Sequence, residues 1–182
     1  MNQIALKEAP GLPAAGLARD DRQHLTFMLG QETFAIGILA IKEIIEYGQM
    51  TIVPMMPPFI RGVINLRGAV VPVVDLAVRF GAAPAAVTRR TCIIIIEFQA
   101  EGETQVAGVV VDAVNEVLEI APADIMPPPA FGARIRTEFI KGMGKVQDKF
   151  VIILDVDKVL SDDDLELLQQ AAQNRVSENI QA

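Results

Sequence analysis

Short hydrophobic runs separated by polar or glycine-containing turns make up most of the sequence, a pattern typical of β-strands. Runs that flank a short turn, such as the pair on either side of Arg67-Gly68, predict β-hairpins. Pro72 lies inside one run and predicts an edge strand or a bulge there, because proline has no amide proton to donate. The predicted strands are residues 25–29, 33–38, 63–66, 69–74, 92–98, 106–111 and 150–154.

Two colinear internal matches indicate that the chain contains a repeat. Residues 59–80 align without gaps with residues 139–160 at an offset of 80, and residues 41–54 align with residues 114–127 at an offset of 73. Because the two matches keep the same order, we interpret them as a duplication. The identical pairs are Glu43/Glu116, Glu46/Glu119, Ile52/Ile125, Pro54/Pro127, Phe59/Phe139, Ile60/Ile140, Gly62/Gly142, Val71/Val151 and Asp75/Asp155, and the pair Arg61/Lys141 keeps the type of charge. Asp75 and Asp155 each end a predicted strand and are predicted to cap short helical turns over residues 76–80 and 156–160.

Many short strands with turns between them predict two small β-barrels rather than one parallel sheet. The predicted barrels span roughly residues 25–80 and 90–160, and the segment 81–88 is the natural linker between them. The alternative that the ends of the two barrels intertwine stays open. The barrels and the start of the segment that follows them form one predicted domain over residues 21–168.

The end of the chain carries the one long helical pattern. Ser161 and Asp164 fit a capping box, and apolar residues at helical spacing follow, which predicts an α-helix over residues 161–176. Residues 1–20 and 177–182 are predicted to be flexible.

Composition and charge restrict the class of protein. Of the 182 residues, 51% are hydrophobic and 21% are charged, which excludes wholesale disorder. The net charge of −7 argues against nucleic acid as a partner and against a polybasic membrane anchor. No signal peptide is evident, and the most apolar run, residues 92–96, is too short to span a bilayer. Cys92 is the only cysteine and cannot form an internal disulfide, which fits a reducing compartment. Together these observations predict a cytoplasmic protein without direct membrane insertion.

The residues available for catalysis are few. His24 is the only histidine, and neither a nucleophilic triad nor a zinc site can be assembled around one histidine and one cysteine. The run Gly142-Met143-Gly144-Lys145 comes nearest to a phosphate-binding loop but lacks the spacing of that motif. The sequence therefore predicts no catalytic, cofactor-binding or metal-binding residues, and a protein that is not an enzyme.

The first copy of the repeat carries a family signature. The run from Pro57 to Gly68, Pro-Pro-Phe-Ile-Arg-Gly-Val-Ile-Asn-Leu-Arg-Gly, closely resembles the signature of the CheW family of bacterial chemotaxis coupling proteins. The resemblance covers roughly residues 25–168, and its length and order make it specific, so the chain is identified as a member of that family. The resembling segments are residues 40–45, 57–68, 71–76, 108–114, 139–142 and 151–160.

The resemblance implies a mainly β fold of two pseudo-repeated, five-stranded SH3-like barrels with a C-terminal α-helix. Members of the family have no active site. They are scaffolds that couple the cytoplasmic tips of methyl-accepting chemoreceptors to the histidine kinase CheA, whose regulatory domain has the same fold. We therefore expect a non-enzymatic adaptor without a cofactor, monomeric when isolated and recruited from the cytoplasm to membrane-associated receptor arrays.

The resemblance also implies a binding site. In the family, the helical hairpin tip of the receptor docks in the groove between the barrels. Under the offset of 73, Ile41 is equivalent to Val114 and Ile44 to Val117, and a duplicated fold would line a groove with such equivalent segments. Phe131 matches a position where the family contacts the regulatory domain of the kinase. The residues matching the receptor groove are Ile41, Glu43, Ile44, Gly62, Arg67, Val114 and Val117.

A structural interpretation of these residues stays open beside the functional one. The aliphatic residues fit a barrel core equally well, and Arg67 fits a solvated turn. Gly62 and its counterpart Gly142 fit positions that require a positive φ. The second copy has Lys-Val-Gln-Asp at residues 145–148, where the first has Asn-Leu-Arg-Gly, so an arginine contact is expected in the first barrel only.

Three other functions remain alternatives. A coupling protein of a pilus-motility or other chemosensory pathway would have the same fold. An enzyme that uses the cleft between the barrels would need a deep polar pocket with perturbed carboxylates. A fragment of the kinase is disfavoured, since no phosphotransfer or ATP-binding segment is expected before residue 21.

Overall fold

The structure, a computed structural model, describes residues 21–84, 86–128 and 137–161, and within them eleven β-strands form two sheets. The mainly β fold predicted from the sequence is confirmed. The predicted helix at 161–176 lies outside the described residues except for Ser161, and the segments 1–20 and 177–182 lie outside them entirely.

The strands follow the seven predicted hydrophobic runs, with four additions, all on segments that carried the repeat. Within the described residues, two short α-helices each follow the last strand of a repeat, α1 (Leu76–Arg79) and α2 (Val156–Leu160). None of the described helices is long and apolar enough to cross a membrane. The strands are β1 (Gln23–Leu29), β2 (Glu32–Gly37), β3 (Ile41–Glu46), β4 (Ile60–Leu66), β5 (Ala69–Asp75), β6 (Cys92–Ala100), β7 (Glu103–Val111), β8 (Ala113–Glu119), β9 (Ile125–Met126), β10 (Ile140–Val146) and β11 (Lys149–Leu154).

The two sheets have the same strand arrangement, as the internal repeat requires. One sheet has the order β8-β1-β2-β11-β10-β9 and the other the order β3-β6-β7-β5-β4. In both, two hairpins meet through a parallel pair, β2 with β11 and β5 with β7. The register of β4 against β5 shifts between Ile60 and Gly62, and that of β10 against β11 shifts between Ile140 and Gly142. The matches at offsets of 73 and 80 therefore fall on equivalent places in the two sheets.

The sheets divide the chain differently from the predicted segments 25–80 and 90–160. The first hairpin, β1–β2, pairs with β8 and β11 of the second repeat, and the hairpin β6–β7 pairs with β3 and β5 of the first. The repeats have thus exchanged their first hairpins, which is the intertwining of ends that the sequence left open. Local hydrophobic patterning cannot indicate this exchange, because it depends on pairings between distant segments.

Three hydrophobic clusters hold the sheets together. A small one lies against each sheet, around Val73 and Ile95 in the five-stranded sheet and around Ile120 and Ile153 in the six-stranded sheet. The largest cluster takes residues from both sheets and includes Phe27. Burying an aliphatic or aromatic side chain contributes about 1.5–3 kcal/mol, so this shared cluster makes the two sheets one unit.

The equivalent phenylalanines of the two repeats, Phe59 and Phe139, contact the same arginine. Arg79 of α1 lies between Phe59 and Phe139, with its guanidinium carbon 4.7 and 4.9 Å from the ring centroids. Asp75 and Asp155 cap α1 and α2, each accepting a hydrogen bond from the amide three residues later. The capping role predicted for both aspartates is confirmed.

Candidate partner-binding site

The strands β3 and β8 present the predicted groove residues from equivalent positions. Each is the terminal strand of its sheet, and each pairs with the neighbouring strand of the exchanged hairpin. Ile44, Val114 and Val117 are half-buried and pack against the shared cluster, while Ile41 is buried within it. The four residues therefore belong to the contact between the sheets, and three of them keep part of their surface available.

Glu43 and Arg67 form a bidentate ion pair beside these aliphatic residues. Arg67 donates from Nη1 to Glu43 Oε1 at 3.0 Å and from Nη2 to Oε2 at 2.6 Å. The side chain of Arg67 is 75% exposed and that of Glu43 is 21% exposed. The hydrogen bonds to the Glu43 carboxylate, and then its charge, raise the pKa of Arg67 above its usual value. Exposed ion pairs contribute little to the stability of a fold, and in protein interfaces charge pairs contribute mainly to specificity.

The turn that carries Arg67 has a counterpart with the same backbone. Arg67 and Gly68 have φ angles of +52° and +86°, and Gln147 and Asp148 have +50° and +64°. In the second repeat, Glu116 stands where Glu43 stands in the first, yet it forms no ion pair with another described residue. The turn geometry is repeated, and the ion pair is found in the first repeat.

Gly62 meets a backbone requirement, and its φ is positive, as the sequence predicts. Its φ is +155°, and a Cβ at this position would overlap the carbonyl oxygen of Thr51. The backbones of Thr51 and Val63 form a β-bridge here. The amide of Thr51 donates to the carbonyl of Val63 at 2.9 Å, and the amide of Val63 donates to the carbonyl of Thr51 at 2.8 Å. Gly62 therefore lets the 47–59 segment lie directly against β4.

At Gly142 the expectation of a positive φ is wrong. Its φ lies outside that range, and the glycine is required by space instead, since a Cβ would lie 2.6 Å from Ile125 Cγ2 and 2.9 Å from Met126 O. The short pairing of β9 with β10 brings these atoms close. The same residue type thus meets a different demand in each repeat.

A buried charged network in the first repeat was missed by the sequence analysis. Arg61 Nε donates to Asp75 Oδ2 at 2.8 Å, and its Nη1 donates to Tyr47 Oη at 3.0 Å. Burial lowers the pKa of Arg61, but the hydrogen bond and charge of Asp75 outweigh it and hold the pKa above its usual value. Two matched pairs could have indicated this network. Arg61/Lys141 was interpreted only as a conserved type of charge, and Asp75/Asp155 only as two helix caps.

The remaining candidate chemistry concerns Cys92 and possible metal ligands. Cys92 is half-buried, and burial, followed by the charge of Glu46, raises the pKa of its thiol, which makes the reactive thiolate scarcer. In the described part of the chain, no group of three or more histidine, cysteine, aspartate or glutamate residues could hold a metal ion.

Comparison with known protein families identifies the family of this chain. Residues 23–164 match the sequence model of the CheW-like domain. The chain belongs to the CheW-like domain family. The matched range takes in every described strand, including both exchanged hairpins and the two equivalent strands β3 and β8.

Relatives with CheW-like domains match over most of their length. The chain is 36% identical to the chemotaxis protein CheW of Klebsiella aerogenes, over 84% of this chain and 90% of that protein. It is 34% identical to the protein FrzA of Myxococcus xanthus, over 68% and 75% of the two chains. The crystal structure of a scaffolding protein, TtCheW from Thermoanaerobacter tengcongensis, superposes with a TM-score of 0.71 at 34% identity, covering 82% of this chain and 94% of that one. The family predicted from the sequence is confirmed.

The CheW-like fold brings together most of the predicted groove residues. Glu43 and Arg67 touch each other, and Ile41, Ile44, Val114 and Val117 share one cluster. Gly62 lies on β4, where it shapes the backbone. Phe131, the predicted kinase contact, lies outside the described residues.

Proposed function

We propose that this protein is a non-enzymatic chemotaxis adaptor that couples methyl-accepting chemoreceptors to the histidine kinase CheA. The observation that carries the proposal is that two equivalent terminal strands, β3 of one sheet and β8 of the other, pack against one hydrophobic cluster, and that an exposed ion pair starts from β3. Relatives named chemotaxis proteins, and a neighbour titled a scaffolding protein, support the same role.

The receptor is proposed to bind across β3 and β8. A helical hairpin presents apolar residues at helical spacing, and the half-buried faces of Ile44, Val114 and Val117 offer the complementary apolar contact. Glu43 and Arg67 would fix the register and direction of the helices, because charge pairs contribute more to specificity than to affinity.

The kinase is proposed to bind elsewhere, through a contact that includes Phe131. The family resemblance alone assigns this residue. Separate sites for receptor and kinase would let one adaptor hold both. Individually weak contacts are then strengthened by the high local concentration in an array.

The location and state of the protein follow from the same proposal. The isolated protein would be a cytoplasmic monomer and would reach the membrane only through receptors, in keeping with the lack of a membrane-spanning helix among the described residues. The similarity to FrzA keeps a related chemosensory pathway as the second candidate. The neighbouring genes discriminate between these pathways.

Co-purification tests the proposal. The tagged chain is incubated with the CheA and the receptor cytoplasmic fragment of its own source organism, alone and together. We expect each partner to be retained alone and the pair to be retained in one ternary complex. Retention of neither partner by the folded chain would overturn the proposal.

A further inference from the structure

The two repeats differ in two paired residues of their exchanged hairpins. His24 pairs with Gly37 and Leu118, and in the other sheet Ile93 pairs with Val110 and Ile45 in the same arrangement. The buried Ile93 of one repeat is therefore replaced by His24 in the other, and Val110 is replaced by Gly37. A large apolar pair has become a polar residue and a residue without a side chain.

A pocket lies where those side chains are missing. Its volume is about 290 Å³. A Cβ built on Gly37 would meet nothing within 4 Å. The residues that line the pocket and matter here are His24, Gly37, Leu39, Lys141, Asp155 and Asp157.

The equivalent place in the other repeat holds a guanidinium group. There Arg61 pairs with Asp75, whose side chain is 4% exposed. In this repeat the residue at the position of Arg61 is Lys141, which is exposed and forms no ion pair with another described residue. Asp155 accepts one hydrogen bond, from the amide of Lys158 to Oδ1, and its Oδ2 has no partner among the described residues.

The polar groups at the pocket are mainly hydrogen-bond acceptors. His24 Nδ1 donates to the carbonyl of Arg22 at 2.8 Å, which leaves the lone pair on Nε2, and Nε2 makes no hydrogen bond to any described residue. Burial is the main cause that lowers the pKa of His24, so the ring is neutral at pH 7. His24 itself is only 4% exposed, so this acceptor is part of a built wall.

The balance of charge selects the ligand. Asp155 and Asp157 line the pocket together with Asp21, against the single positive charge of Lys141. Several acceptors around a net negative pocket match a planar cation with several N–H donors. Leu39, on the rim, is 57% exposed and offers an apolar contact of the kind that a polypeptide would cover.

We propose that this pocket binds an arginine side chain of a partner protein, in the way that Asp75 binds Arg61 within the other repeat. The inference rests on the pocket and the repeat, and it does not depend on the receptor-binding function of β3 and β8. Lys141 would move aside from the incoming guanidinium, since its own charge competes for the same carboxylates.

The single histidine makes the test direct, because the carbon-bound ring protons of His24 give the only imidazole signals in tag-free protein. The full chain is titrated with N-acetyl-arginine amide, and the ring signals are followed by NMR. The neutral isostere N-acetyl-citrulline amide serves as the matched ligand. We expect saturable shifts with the arginine compound and none with the citrulline compound. Absent shifts, or equal shifts with both compounds, would overturn the proposal.

Two variants locate the binding within the pocket. Gly37→Val restores the side chain that Val110 provides in the other repeat, and we expect it to abolish the shifts; φ at Gly37 is −56°, so valine is tolerated. Asp155→Asn keeps the helix cap and is expected to weaken binding roughly tenfold. Gly48→Val and Asp124→Asn are the controls, at exposed positions outside the pocket. Unchanged binding in both pocket variants would place the ligand elsewhere and refute the site.

Discussion

Arg67 and Glu43 join the two ends of the five-stranded sheet. Glu43 lies on β3, the first strand in the sheet order, and Arg67 lies in the turn after β4, the last strand. Their bidentate contact therefore spans the gap where the curled sheet closes on itself. Beside it, Thr51 and Val63 form a backbone bridge that fixes the same edge.

Arg67→Glu is expected to weaken receptor binding while the fold survives. The substitution places two carboxylates side by side in the proposed contact with the receptor, and an exposed ion pair contributes little to folding. Binding of the receptor fragment is measured by calorimetry, and the melting temperature by circular dichroism.

Arg89→Glu is the matched control, because Arg89 is also exposed and lies in a different surface loop. It should leave receptor binding unchanged. Equal affinity of wild type and Arg67→Glu would remove Arg67 from the receptor site.

Gly62→Ala is expected to destabilise the protein by about 2 kcal/mol or more, because the new Cβ would overlap the carbonyl oxygen of Thr51 at a strained φ. Urea denaturation measures the free energy of unfolding. Gly48→Ala is the control, since a Cβ there meets nothing within 4 Å. Similar stability of the two variants would show that the close approach of Thr51 is not required.

Asp75→Asn should cost far more stability than Asp155→Asn. Asparagine preserves both helix caps, so the difference isolates the ion pair with Arg61, which has no counterpart at Asp155. Loss of a hydrogen bond between charged groups costs about 1.5–3 kcal/mol, whereas the second substitution should cost less than about 0.5 kcal/mol. Equal changes in the free energy of unfolding would contradict the asymmetry between the repeats.

His24 makes the stability of the protein depend on pH near neutrality. Its pKa in the folded state is lowered from 6.5, chiefly by burial, with Lys141 lowering it and Asp21 raising it among the facing charges. The unfolded chain then binds the proton more readily, so stability falls as the pH drops below about 6.5. His24→Phe should remove this loss between pH 7 and pH 5. Parallel pH profiles of the melting temperature for the two proteins would refute this role of His24.

Local patterning predicted the strands well, because hairpins are encoded by short turns between apolar runs. The turn at Arg67-Gly68 and the two equivalent caps at Asp75 and Asp155 were all readable from neighbouring residues. The edge strand or bulge predicted from Pro72 was wrong. The strand that contains it, β5, is an inner strand, and its pairing with β7 begins one residue later, at Val73. A proline is tolerated there because its missing amide proton lies outside that parallel pairing.

Local patterning could not predict the exchange of hairpins or the Arg61–Asp75 ion pair. Both depend on segments that are distant along the chain and meet only after the sheets assemble. The candidate site shows the same limit. The offset of 73 made Ile44 and Val117 equivalent, but their packing against one shared cluster required the exchanged topology.

Receptor control of the kinase tests the central proposal most directly. Autophosphorylation of the source organism's CheA is measured with receptor-containing membranes, with and without this chain. The account predicts that receptors stimulate the kinase several-fold only when the chain is present, and that Arg67→Glu lowers this stimulation. Kinase activity that responds to receptors equally well without the chain would contradict it.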